Sequence, residues 1–343
     1  MEQYRCRYEH ENNLSHRICM KKQHSSLHEV QTTSSQLPAS LVADNALLDK
    51  IGHEMRTGRP SRLLLTLLAD YWWQQNELLP SAALVALLSE FGISDTSARA
   101  VLSRLIHHGL LNASKHGRQT FYGLNEQTWH ILEDGARRIF SFGQHLRSWN
   151  GFWSFVAFSI PETNRQLRHV LRDRLRWLGF APLYDGLWVS PRDNLSDVAS
   201  QLAQLSISTT TMFQGRIMDA TPEAGLPLRA WDLDALRAQY QQFINDIEPV
   251  SLCFKKGMLS PEEALQVRTR IVNAWLNFPA MDPDLPDELL PADWPRRKAR
   301  ELFVTMYDEL GPLALFRIQQ IIVRHAPALA RKATYHSSDL TTW

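Results

Sequence analysis

The stretch Ser94–Leu124, SDTSARAVLSRLIHHGLLNASKHGRQTFYGL, constrains the fold of this chain more than any other. Ala98, Val101, Leu102, Leu105 and Ile106 recur at i, i+3, i+4, i+7 and i+8, which puts them on one face of a helix. Ser94 supplies an N-cap and Gly109 a stop, so the helix has three to four turns. Its opposite face carries Thr96, Arg99, Ala100, Ser103, Arg104 and His107, which are small, polar or cationic, with no acid among them. Beyond Gly109 the pattern becomes extended through Leu110 and Leu111, turns at Lys115-His116-Gly117-Arg118, and returns through Phe121, Tyr122 and Leu124. Two extended arms around a tip containing Gly predict a β-hairpin.

A helix with a small, basic outer face followed by a basic-tipped hairpin predicts a winged helix-turn-helix. Small side chains let such a helix approach base edges in the major groove. Arg99 and Arg104 reach guanine or phosphate, and Lys115, His116, Gly117 and Arg118 form a tip that meets the flanking backbone. The competing expectation is a solvated helix face, or a winged helix that binds protein instead of DNA. The preceding residues complete the unit. Pro60–Trp73 predicts a helix with Leu63, Leu64, Leu67, Leu68 and Tyr71 inward, Glu77–Pro80 a short strand, and Ser81 the cap of a second helix ending at Phe91-Gly92.

The whole chain has 343 residues, a length that favours two or three domains. Its formal net charge is only +1, so contact with nucleic acid has to come from a local patch. Hydrophobic residues make up 44% and charged residues 21%, the proportions of a soluble globular chain. No apolar run approaches the roughly 20 residues of a membrane helix; the richest, Leu63–Trp73, is interrupted by Thr66 and Asp70. Three cysteines, Cys6, Cys19 and Cys253, form no disulfide framework and point to a reducing, cytoplasmic setting. Cys6, His10, His16 and Cys19 match no common zinc-ligand spacing.

Residues 1–43, rich in Gln, Ser, His and Asn, predict a disordered extension. A short helix over 44–57 leads into a DNA-binding domain spanning 44–125. Glu126–Arg147 predicts an amphipathic connecting helix within 126–150, burying Trp129, Leu132, Ile139 and Phe140. Residues 151–225 then read as strand, helix, hairpin, helix, strand. The strands are Trp153–Ile160 and Ile207–Phe213, and the hairpin turns at Asp185-Gly186. Its first helix, Asn164–Leu178, carries five arginines and directs Leu167, Val170, Leu171, Leu175 and Leu178 inward. That order predicts a ferredoxin-like α/β sandwich. From 226 to 330 the pattern is helical, with segments at Leu233–Ile247, Ser260–Phe278, Arg296–Leu310 and Pro312–Ile322, followed by a tail over 331–343. Ser260-Pro261-Glu262-Glu263 predicts a capping box. The fold class is α+β.

Three segments together carry a family likeness. They are SARAVLSRLIHHGLL with GRQTFYGL; ARRIFSFGQHLRSWNGFWSFVAFSIPE leading to GFAPLYDGLWVSP; and FPAMDPDLPDELLPADWPRRKA, with its DP-x-LP-x-x-LLP-x-x-W arrangement. The chain resembles the PaaX family, repressors of phenylacetic acid degradation operons, from about Pro60 to Gly311. The resemblance implies a homodimeric transcriptional repressor with a nuclease-like middle domain and a helical effector and dimerisation domain. It implies no cofactor, binding to an inverted-repeat operator, and release by an aryl-acyl-CoA thioester such as phenylacetyl-CoA. Such an effector needs cations for its phosphates and an apolar wall for its acyl end. Arg168, Arg172 and Arg176 beside Tyr184 and Trp188, with Trp275 and Trp294, are the candidates. Two positions depart from the family pattern: Leu276, where an Arg is frequent, and Arg296, where a Gly is frequent. An enzyme is the alternative, a metal-dependent nuclease using the middle domain, but its first strand ends without an acid before Glu162.

Overall fold

The computed structural model describes residues 59–144, 148–161, 164–204, 210–217 and 228–339. The expectations for the extension, the Cys/His set, the helix over 44–57 and Glu162 lie outside the described residues. The molecule is mixed helix and sheet, an α+β protein.

The first part runs α1 (Arg59–Tyr71), β1 (Leu79–Pro80), α2 (Ser81–Ser89), α3 (Asp95–His107), β2 (Leu111–His116) and β3 (Gln119–Leu124). The three strands form an antiparallel sheet in the order β1-β3-β2. Ser94 caps α3 by accepting from the Ser97 amide, as its position predicts. Gly109, at φ +72°, ends the helix in a conformation a Cβ would strain. Pairing of His116 with Gln119 leaves a two-residue turn, Gly117-Arg118, with Gly117 at φ +60°. Ser81 is not a cap: Pro80 holds that position and makes no side-chain bond there.

α4 (Glu126–Ser141) follows directly and buries Leu132, Ile139 and Phe140, while Trp129 stays partly exposed against the edge of Trp73. The middle part runs β4 (Trp153–Phe158), α5 (Arg165–Trp177), β5 (Ala181–Tyr184), β6 (Leu187–Ser190), α6 (Leu195–Gln204) and β7 (Thr210–Gly215). All pairs are antiparallel, and the sheet order is β5-β6-β4-β7. Leu171 and Leu175 of α5, and Leu178 just after it, pack with Val156, Trp188 and Leu202 in one core. Val170, expected inward, is 42% exposed because it falls one position off the stripe formed by Leu167, Leu171, Leu175 and Leu178.

The rest is helical: α7 (Leu233–Lys255), α8 (Pro261–Trp275), α9 (Phe278–Met281), α10 (Arg296–Glu309), α11 (Gly311–Val323) and α12 (Pro327–Ala330). The Ser260–Glu263 capping box forms as predicted. α7 continues past its expected end at Ile247, because Pro249 removes one backbone bond without breaking a helix otherwise held by packing. It stops at Gly257, φ +68°.

The cores cross the expected domain boundaries. Leu265 of α8, Ala314, Ile318, Ile321 and Ile322 of α11, and Ala330 and Ala333 belong to the same core as α1, α2 and α3. A second core joins Ile139 and Phe140 of α4 to Tyr240, Trp275, Phe303 and Tyr307. Part of the expected tail lies in this assembly, since the Thr334 amide donates to the Tyr71 carbonyl at 3.2 Å.

Candidate nucleic-acid interface

α3 directs Ala98, Val101, Leu102 and Leu105 into the core and leaves Thr96, Arg99, Ala100, Ser103, Arg104 and His107 exposed. Lys115, His116, Gly117 and Arg118 at the hairpin tip are exposed as well. All ten residues proposed from the sequence therefore lie at the surface of one segment. His116 is steadied by the edge of Phe121 at 5.4 Å and by Ser114 Oγ at 3.2 Å. Among the described residues, Arg99, Arg104, Lys115 and Arg118 have no hydrogen-bonding or ion-pair partner. Asp95, in the first turn of α3, is that helix's own acid and complements the helix dipole. Four cations held on a folded scaffold without acids to neutralise them form a surface suited to phosphate.

The arginines of α5 differ in this respect. Arg168 donates to the Ile160 carbonyl at 2.5 Å, Arg172 pairs with Asp185, and Arg176 meets Asp173 at 2.8 Å while lying over the Trp188 ring. The proposed effector residues are not gathered in one place. Tyr184 is 60% exposed, whereas Trp188 and Trp275 are 1% and 0% exposed. These two indoles are core side chains with no surface to offer a ligand. Trp275 stacks on Phe303 and donates Nε1 to the Ile139 carbonyl at 2.9 Å, so it holds the end of α4. Trp294 borders a cleft of about 590 Å³ and lies under the Arg237 guanidinium. Arg176 borders a separate cleft of about 690 Å³.

Sequence reasoning missed the polar contacts that position the α3 surface. Arg268 of α8, fully buried, reaches Asp70 of α1 at 3.2 Å, the Tyr307 carbonyl at 2.9 Å and the His336 carbonyl at 2.7 Å. The Tyr307 hydroxyl donates to the other Asp70 oxygen at 3.0 Å. Burial raises the Asp70 pKa against the attraction of Arg268, and pushes the Tyr71 phenol up to about 12. Near the turn before α3, Arg317 of α11 grips the Glu90 carboxylate with two bonds of 2.8 and 2.9 Å. Gln266 of α8 donates to the Glu90 carbonyl at 2.7 Å. One signal was available: Asp70 interrupts an apolar stripe, and Arg268 falls on the inward positions Ala264, Leu265, Arg268, Ile271, Val272 and Trp275 of α8. An acid and a base on two buried stripes require each other.

Arg296 is a second hub. Its guanidinium lies 3.6 Å from Asp282, 3.2 Å from Asp284 and 3.0 Å from Asp287, and donates to the Leu285 carbonyl at 2.8 Å. The Tyr240 hydroxyl donates to Asp282 at 2.6 Å. This Arg ties down the Pro-rich segment.

These features define an α+β protein whose amino-terminal part presents an uncompensated cationic helix and hairpin, held in place by its carboxyl-terminal helices. The chain belongs to the PaaX family. It matches "PaaX-like protein" over residues 59–128, "PaaX protein central Cas2-like domain" over 146–226 and "PaaX-like protein C-terminal domain" over 231–317. It is 30% identical over 239 residues to the Transcriptional repressor PaaX of Escherichia coli K12, covering 68% of this chain and 74% of that protein. The solved structure of the uncharacterized protein Rv0674 from Mycobacterium tuberculosis superposes with a TM-score of 0.50 at 24% identity. That match covers 76% of this chain and 97% of the other, and it speaks to fold alone. No helix among the described residues is long and apolar enough to cross a membrane.

Proposed function

We propose that this chain is a non-enzymatic, DNA-binding transcriptional repressor of a catabolic operon. In this reading residues 59–124 are a winged helix-turn-helix, α3 reads the major groove, and the β2–β3 hairpin is the wing. The strand order of the middle part supports a ferredoxin-like sandwich. The observation that carries the reading is the set Arg99, Arg104, Lys115 and Arg118, exposed on α3 and the hairpin tip and unpartnered among the described residues. The similarity to a transcriptional repressor over 74% of that protein's length supports it further.

The roles within the set differ and can be measured separately by fluorescence anisotropy on operator and random duplexes. Arg99→Ala costs about 1–3 kcal/mol on the operator and relaxes preference at one position of each half-site. Arg118→Ala weakens both duplexes alike and flattens the salt dependence by about one unit. Equal effects of both substitutions on both duplexes would remove this division of labour, and no affinity for either duplex at low salt would favour a protein-binding module.

A single α3 covers few base pairs, so the reading includes a homodimer on an inverted repeat. Half-site centres then lie about 10 base pairs apart, or a multiple of that spacing. The effector in this reading is an aryl-acyl-CoA thioester such as phenylacetyl-CoA. Calorimetric titration of the intact chain should detect phenylacetyl-CoA but not phenylacetate, because only the thioester brings phosphates for arginine. Tight binding of the free acid, with none of the thioester, would overturn the ligand class.

A further inference from the structure

We propose that the cleft at the carboxyl-terminal end of α4 is the effector site, and that α4 carries its occupancy to the DNA-facing surface. This placement rests on the acyl-CoA reading above. The cleft holds about 690 Å³, within the roughly 300–1,000 Å³ typical of small-molecule sites. Arg138 of α4, Arg176 of α5 and Arg192 after β6 border it, and Phe142, Phe180 and Met281 supply apolar wall. Cations and apolar surface thus face one space, as a phosphate-bearing thioester requires.

Two of the three guanidiniums bridge the cleft by bonds to neutral carbonyls. Arg138 donates to the Pro279 carbonyl at 3.1 Å, and Arg192 to the Pro283 carbonyl at 2.5 Å. Arg192 lies flat over Gly179, where an added Cβ would stand 2.9 Å from its Cζ. A phosphate oxygen is a stronger acceptor than a peptide carbonyl, so a bound ligand draws these donors away from the Pro-rich segment. The bordering carboxylates do not prevent this. Asp282 and Asp284 face Arg296 at 3.6 and 3.2 Å, and Asp232 accepts from the Ala235 amide at 3.0 Å as the cap of α7. Arg192 also lies 3.8 Å from Asp284, and Arg176 2.8 Å from Asp173, so each keeps an acid that orients it.

The link to the DNA-facing surface is α4 itself. At its start Asn125 accepts from the Thr128 amide at 2.8 Å and donates to the Gly109 carbonyl at 2.7 Å, the residue that ends α3. At its far end Arg138 reaches into the cleft, and the carbonyls of Phe140 and Phe142 accept from Arg300 at 3.1 Å each. Sixteen residues of helix make a strut of about 24 Å between the two. A shift of the cleft end therefore moves the junction of α3 and the hairpin.

The test uses the intact chain, with calorimetry for binding and anisotropy for release from operator, each variant compared with its own ligand-free affinity. Met281→Trp fills the cleft and Arg176→Glu reverses one of its charges. Both should raise the phenylacetyl-CoA concentration for half-release about tenfold or more. Ala292→Trp, which fills the separate cleft beside Trp294, should leave it unchanged. Wild-type response with unchanged Met281→Trp and Arg176→Glu responses overturns the placement alone. Loss of response in Ala292→Trp also overturns it, moving the site to the other cleft. Failure of the wild-type chain to bind phenylacetyl-CoA or free coenzyme A overturns the acyl-CoA reading and this placement together.

Discussion

Arg268→Leu lowers the free energy of unfolding by about 3–5 kcal/mol, read from urea denaturation of the intact chain. The substitution keeps apolar volume but strands the Asp70 carboxylate in a core where, among the described residues, the Tyr307 hydroxyl is its remaining side-chain donor. It also removes the donor that serves the carbonyls of Tyr307 and His336. The loss depends on pH with a definite sign. Burial already raises the Asp70 pKa above its unfolded value, and losing the guanidinium removes the main force lowering it. A carboxyl with a raised folded pKa contributes stability in acid and loses it as pH rises through that pKa. The deficit of Arg268→Leu should therefore be smaller near about pH 4 than near about pH 7. Asp70→Asn in the same chain should recover part of the neutral-pH loss. A deficit below about 1 kcal/mol, or one independent of pH, would contradict a buried ion pair as the tie between α1 and α8.

Ser103→Glu reduces operator affinity about a hundredfold or more at low salt, the largest binding effect expected of any single change on α3. Ser103 is exposed on the outer face between Arg99 and Arg104, so the new carboxylate displaces no core contact and leaves the fold intact. In a groove it meets phosphate whatever the operator sequence. Ala238→Glu, on the exposed side of α7, adds the same charge elsewhere and should change affinity little. Equal, small effects of the two substitutions would mean that α3 does not enter the groove.

The sequence makes local structure readable wherever one residue has one physical reason to be there. Ser94, Gly109 and Gly117 mark the ends of α3 and the hairpin tip, and Ser260 with Glu263 marks the start of α8. The outer face of α3 is legible for the same reason: helical spacing alone separates Ala98 and Leu102 from Arg99 and Ser103. Spacing does not say which element a buried stripe faces. Core is the commoner role for residues such as Trp275 and Trp188, the family resemblance offers them as ligand walls, and tertiary packing shows them enclosed. The residues proposed for an effector scatter for this reason, since the α5 arginines share a stretch of sequence while their partners Ile160 and Asp185 come from other elements. Arg296 could not be paired from spacing, because its three aspartates lie upstream inside the irregular Pro-rich loop it anchors.

The core that α1, α2 and α3 share with α8 and α11 bears on how such a protein can diversify. An amino-terminal segment that completes its interior with Leu265, Ile318 and Ile321 is not an exchangeable cassette. Recombination that transplanted residues 59–128 between relatives would join two halves of an interior that had never been fitted to each other, and would separate Glu90 from the Arg317 that orients it. Under the proposed function, new operator preferences are then expected from single substitutions on the outward face of α3, where Thr96, Arg99, Ala100 and Ser103 are exposed.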